Sequence, residues 1–76
     1  MDKDEFARAL TEALNRDGME LHPETAFREL AGWDSLCVLI TIALADEAFD
    51  KMLTGRQIAS ANTVNDLWRI LEGLGD

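Results

Sequence analysis

Residues 32–49 read GWDSLCVLITIALADEAF, and the fold turns on how this stretch is read. From Leu36 to Ala45 every residue except Thr41 is apolar, with neither glycine nor proline to interrupt it. The run is far shorter than the ~20 residues that cross a bilayer. An acidic-hydroxyl pair, Asp34-Ser35, stands immediately before it, the pattern of a helix start in which a short polar side chain accepts from a free backbone N–H. The stretch therefore predicts a helix from about Ser35 to Phe49, capped by Asp34 or Ser35. Leu36, Leu39, Ile42, Ala43 and Phe49 are its expected core face.

Working outward, Asp2 and Glu5 have capping-box spacing. Phe6, Ala9, Leu10, Ala13 and Leu14 then recur at helical intervals, which predicts a first helix ending near residue 16 at Asp17-Gly18. Residues 17–34 form a connection long enough to be unusual in a small domain. Its apolar residues, Met19, Leu21, Pro23, Phe27, Leu30 and Trp33, imply that it packs across the helices, with a short turn at 24–30. Thr54 with Gln57 opens a brief helix over Gly55–Ser60. Thr63 with Asp66 opens a last one, with Val64, Leu67, Trp68 and Leu71 on its inner face. No period-2 segment is long enough for a strand. The expected architecture is all-α and a single domain over residues 1–76: a small bundle of four helices, three longer and one short, with a long first loop. Phe6, Phe49 and Trp68 are its expected core aromatics.

The chain has 76 residues, enough for one modest core and little room for a deep substrate cavity. Fifteen acidic residues against seven basic ones give a net charge of −8, which disfavours nucleic acid and anionic membranes as partners and suits docking on basic protein surfaces. One cysteine excludes an internal disulfide and fits a reducing, cytoplasmic setting. The charged start MDKDEF has no signal-peptide character, so a soluble protein is expected. Conventional catalysis fails by inventory. His22 lies in the first loop and Cys37 in the apolar helix, and nothing in their spacing pairs a nucleophile with a base. One histidine, one cysteine and scattered carboxylates make no zinc set, and no calcium-loop spacing occurs.

Ser35 has a second property besides capping. A helix N-terminus presents unpaired N–H groups and partial positive charge, favouring a phosphate by ~0.3–1 kcal/mol at an exposed site. A serine there is a suitable anchor for a phosphodiester-linked arm, although the Asp34 carboxylate opposes that charge.

In order and spacing the chain resembles the acyl carrier protein family. The resemblance rests on Asp34-Ser35-Leu36 after an amphipathic helix and a long loop, on an apolar helix closing at Phe49-Asp50, on a short third helix, and on Thr63-Val64-Asn65-Asp66-Leu67. It covers essentially the whole chain. It implies that Ser35 is the attachment site of 4′-phosphopantetheine, with Asp34 and Leu36 completing the recognition motif. It also implies a monomeric, non-enzymatic carrier whose arm, taken from coenzyme A by a phosphopantetheinyl transferase, holds acyl groups as thioesters for loading, transferring or condensing enzymes. Two features depart from fatty-acid-synthesis carriers. Cys37-Val38-Leu39-Ile40 replaces the usual acidic residues after the motif, acid returning only at Asp46 and Glu47, and AFRELAGWDSL is similar to peptidyl carrier domains. A specialised lipid, polyketide or other secondary pathway is therefore the expected setting. In that reading Cys37, Ile40, Leu44 and Glu47, at three- and four-residue spacing, line one side of the helix, which is either an apolar docking strip beside the arm or is covered by the long first loop. The competing readings are an unmodified helical interaction module in which Ser35 is only a cap, a peptidyl or aminoacyl carrier, and, more remotely, a small enzyme using Cys37.

Overall fold

The computed structural model describes residues 2–74. Within them lie four α-helices and one 3₁₀ turn: α1 (Lys3–Leu14), the turn (Phe27–Glu29), α2 (Ser35–Phe49), α3 (Gly55–Ser60) and α4 (Val64–Gly73). No strand occurs among the described residues. The all-helical bundle expected from the sequence is the fold observed.

Local chemistry sets most helix ends. Glu5 N–H donates to the Asp2 carboxylate at 2.8 Å while the Glu5 carboxylate accepts from Asp2 N–H, closing the expected box at α1. The Thr54–Gln57 and Thr63–Asp66 boxes form in the same way at α3 and α4. The first helix stops earlier than residue 16. Asn15 takes a left-handed conformation (φ 47°) directly after Leu14, a geometry that asparagine adopts more readily than most residues, so Asp17-Gly18 lies beyond the helix in the turn.

Phe6, Leu10, Leu14, Phe27, Leu53, Val64, Leu67 and Leu71 form the fully buried centre together with smaller side chains. Ala7 is buried in α1, whereas Ala13 is exposed, so the apolar stripe lies slightly round from its expected line. Phe6 and Phe49 meet edge to face with ring centroids 5.9 Å apart. Phe6 is fully buried as expected, while Phe49 and Trp68 are half-buried at the edge of the core. Phe27, one of the loop residues expected to pack across the helices, is wholly enclosed.

The first loop is held at four places. Thr11 Oγ1 accepts from Leu21 N–H at 3.0 Å and donates to the Ala7 carbonyl at 2.8 Å, fastening the loop to α1. The Pro23 and Thr25 carbonyls accept from Asn65 and Val64 N–H, two donors that the start of α4 leaves without intrahelical partners. Arg28 donates to the carbonyls of Ala59 and Ala61, covering the end of α3. The fourth fastening, by Arg16, belongs to the candidate site. With Phe27 enclosed and its ring 4.7 Å from that of Trp33, this segment is part of the core.

The face of α2 is the main correction. Its buried residues are Cys37, Thr41 and Ala45, flanked by half-buried Val38, Ile40, Ile42, Leu44 and Phe49. Leu36 and Leu39, expected in the core, are 53% and 63% exposed, and Ala43 is exposed too. Of the expected core face only Ile42 and Phe49 pack inward. Conversely, Cys37, Ile40 and Leu44 are not an outward docking strip: Cys37 is fully buried, Ile40 and Leu44 pack against the core, and only Glu47 is exposed. The reason is that α2 is apolar on every side, so periodicity cannot select its inner face. Its innermost line is the small residues Cys37, Thr41 and Ala45, four apart and all buried. Thr41 satisfies its buried hydroxyl on the Cys37 carbonyl at 2.8 Å.

This assignment separates two neighbouring residues. Ile40→Glu should lower the unfolding free energy by about 0.8–1.5 kcal/mol through lost burial alone, half the value for full burial, whereas Leu39→Glu should change it by about 0.5 kcal/mol or less. Urea denaturation followed by circular dichroism measures both. The reverse order would show the inner face of α2 to be misassigned.

Candidate functional site

The site is the start of α2 and the residues that hold it. Asp34 is the N-cap. Its extended backbone (φ −143°) aims the carboxylate back at the helix, where Oδ1 accepts from Cys37 N–H at 3.1 Å. Of the two cap candidates in the sequence, Asp34 takes the role. Ser35 is the first helical residue and is exposed, and among the described residues no group hydrogen-bonds its hydroxyl. The Ser35 and Leu36 N–H groups likewise have no acceptor among the described residues, and the first turn of α2 carries no acidic side chain. A free hydroxyl thus stands beside two open donors at the positive end of a helix of fifteen residues.

Arg16, one residue past the Asn15 cap of α1, organises this end. Its Nη1 donates to the Gly32 carbonyl at 2.6 Å and to Asp34 Oδ2 at 3.2 Å, while Nη2 donates to Asp34 Oδ1 at 3.3 Å. The fork-to-fork pair fixes the carboxylate in two directions, which a single lysine donor could not do. The Arg16 hydrogen bond, followed by the Cys37 backbone N–H, holds the Asp34 carboxyl below the usual carboxylate range, and the same hydrogen bond raises Arg16 above its ordinary value. The segment before the helix is packed as well as bonded. Trp33 N–H donates to the Leu30 carbonyl, and the Trp33 ring lies tilted against Phe27. A Cβ on Gly32 would come within 3.0 Å of the Met19 methyl, so a side chain there would displace Met19. Cys37 Sγ also faces the Gly32 carbonyl, at 3.6 Å.

The predicted site residues are therefore placed as follows. Asp34, Ser35 and Leu36 form one exposed edge, with Leu36 and Leu39 the apolar surface next to the hydroxyl. Glu47 is exposed further along the same helix, while Cys37 is buried and Ile40 and Leu44 are half-buried against the core. His22 is exposed in the first loop with Glu20 3.9 Å away, and nothing among the described residues pairs it with buried Cys37. Among the described residues no three His, Cys, Asp or Glu side chains gather as a metal site. No helix there is long and apolar enough to cross a membrane. A shallow concavity of about 230 Å³ between α1 and the first loop is lined by Arg8, Thr11, Glu12 and His22 among others, and none of residues 33–36 lines it. Arg16 is the residue that sequence reasoning missed. It stands 18 positions from Asp34, and no spacing rule links a residue just past one helix to the cap of the next.

Comparison of the chain with family models, with curated proteins and with solved structures finds no match.

Two carboxylates carry a pH signature. Asp34 is lowered as described, and Asp66 is lowered by accepting from the backbone N–H groups of Thr63 and Asn62. A carboxylate whose folded-state pKa lies below its unfolded value adds stability above the unfolded value, and that stability is lost as pH falls through the folded one. Wild type should therefore lose stability progressively below about pH 5, and Asp34→Asn should show a shallower acid limb because it cannot ionise. Urea midpoints measured against pH would decide it; identical slopes would contradict the assignment.

Proposed function

We propose that this chain is a carrier protein modified at Ser35 with 4′-phosphopantetheine, as its resemblance to the acyl carrier family implies. The observation that carries the reading is the division of labour at the start of α2. Asp34 does the capping and leaves the Ser35 hydroxyl exposed and without a hydrogen-bonding partner. In the competing module reading Ser35 exists to cap the helix, and that duty lies with its neighbour.

The residues present fit the group on chemical grounds. An exposed hydroxyl is available for a phosphodiester link, and the open N–H groups of Ser35 and Leu36 favour the phosphate charge. The Asp34 charge that would oppose it is paired with Arg16. When bound, the arm supplies a terminal thiol on which an acyl group is held as a thioester. The chain's own residues anchor it, offset its charge and present the surface around it. Leu36 and Leu39 provide apolar contact beside the hydroxyl, and Asp46 and Glu47 provide acid further along α2. The partners in this reading are a phosphopantetheinyl transferase and the enzymes that load and receive acyl groups, with the carrier acting as a cytoplasmic monomer. Because the first positions after the motif are apolar, a dedicated biosynthetic pathway, lipid or polyketide, suits the chain better than bulk fatty-acid synthesis.

Intact mass spectrometry after incubation with coenzyme A and a broad-specificity transferase tests the proposal. Wild type should gain the mass of one phosphopantetheine, and Ser35→Ala, still folded, should gain none. If wild type stays unmodified under conditions that label another carrier, the carrier reading fails and the unmodified interaction module replaces it.

A further inference from the structure

Arg16 makes more of a commitment to the α2 start than stability asks of an exposed ion pair. Exposed pairs contribute little by themselves, yet this guanidinium gives three hydrogen bonds to two groups, Gly32 and Asp34, that immediately precede one hydroxyl. Its side chain is 27% exposed against 57% for Asp34, so the arginine is the more enclosed member of the pair. Both termini of the segment 32–34 are thereby fixed, the carbonyl of Gly32 and the side chain of Asp34, while Ser35 itself is untouched.

We infer that Arg16 is the positioning residue for the modification of Ser35, acting through Asp34. It fixes the direction of the Asp34 carboxylate and cancels its charge where an anionic diphosphate donor must approach. The inference rests on the carrier reading above. In the step concerned, Ser35 Oγ forms a bond to the phosphorus of the pantetheine phosphate of coenzyme A, and the diphosphate P–O bond breaks. Adenosine 3′,5′-bisphosphate leaves with the bonding pair, and the hydroxyl proton passes to a base of the transferase. With Arg16 removed, the carboxylate keeps its cap but loses its second restraint, and its charge faces the incoming diphosphate uncovered. Small displacements of a reacting group are costly, so the loss should appear in the labelling rate even though the helix persists.

The test is a double-mutant cycle of labelling kinetics with coenzyme A and a broad-specificity transferase, using wild type, Arg16→Gln, Arg16→Lys, Asp34→Asn and the Arg16→Gln/Asp34→Asn pair. Circular dichroism at the labelling temperature confirms that each variant is folded. Arg16→Gln should lower kcat/KM by about ten- to a hundredfold, mainly by raising KM for the carrier. Arg16→Lys, which keeps the charge but not the fork, should recover part of the loss. In the Asp34→Asn background the Arg16→Gln change should have a clearly smaller effect, because the charge that Arg16 covers and one half of the fork are gone. A structural role would slow both backgrounds alike, and that result overturns the inference, as does Arg16→Gln labelling at the wild-type rate. Should Arg16→Gln unfold, Arg16→Lys carries the same comparison, and a wild-type rate there overturns the inference as well. Wild type that takes no label is a different result: it removes the carrier reading itself, and the inference with it.

Discussion

The carboxylate of Asp34 does two jobs with its two oxygens, and the arrangement around Ser35 depends on both. Oδ1 accepts from Cys37 N–H and from Arg16, which starts the helix; Oδ2 accepts from Arg16, which ties that start to the end of α1. The cap sets where α2 begins and therefore which residue is first in it. Because Asp34 occupies the cap, Ser35 falls on the first turn with its side chain outward and its hydroxyl unengaged. Had the serine been the cap, its oxygen would be turned back on the helix and withdrawn from chemistry. A local capping preference thus leaves the Ser35 hydroxyl free of the helix.

The same helix turns Cys37, Thr41 and Ala45 to the inner side, where they are buried. The large residues Leu36 and Leu39 are left outside next to Ser35, where they form the apolar surface available to another protein. In the proposed carrier role this is the surface a modifying or acyl-transferring enzyme would meet first. Its character differs from the acidic helix that the family resemblance would lead one to expect.

How much of this was legible in the sequence depended on whether the signal was local. The capping boxes at Asp2–Glu5, Thr54–Gln57 and Thr63–Asp66 were readable because donor and acceptor lie three residues apart, and each formed as read. The inner face of α4 was readable because its polar side is polar. α2 offered no such contrast: an apolar residue at nearly every position leaves the choice of face to packing, which buries Cys37, Thr41 and Ala45. The packing of Phe27 was legible in the apolar character of the first loop, whereas Arg16 was out of reach because it finds its partners 16 and 18 residues away. Asp34 and Ser35 both suit a cap by sequence, and which of the two adjacent side chains caps the helix required the folded geometry.

The central claim is that Asp34, and not Ser35, holds the start of α2. Equilibrium unfolding of Asp34→Ala and Ser35→Ala at neutral pH and low salt tests it most directly. Asp34→Ala should lose about 0.5–2 kcal/mol for the cap alone, with the lost Arg16 contact adding to that. Ser35→Ala should stay within about 0.5 kcal/mol of wild type, since alanine favours the first turn at least as well as an unbonded serine. A Ser35→Ala loss equal to that of Asp34→Ala would mean that the hydroxyl is already committed to the helix, and the account of a free attachment group would be wrong.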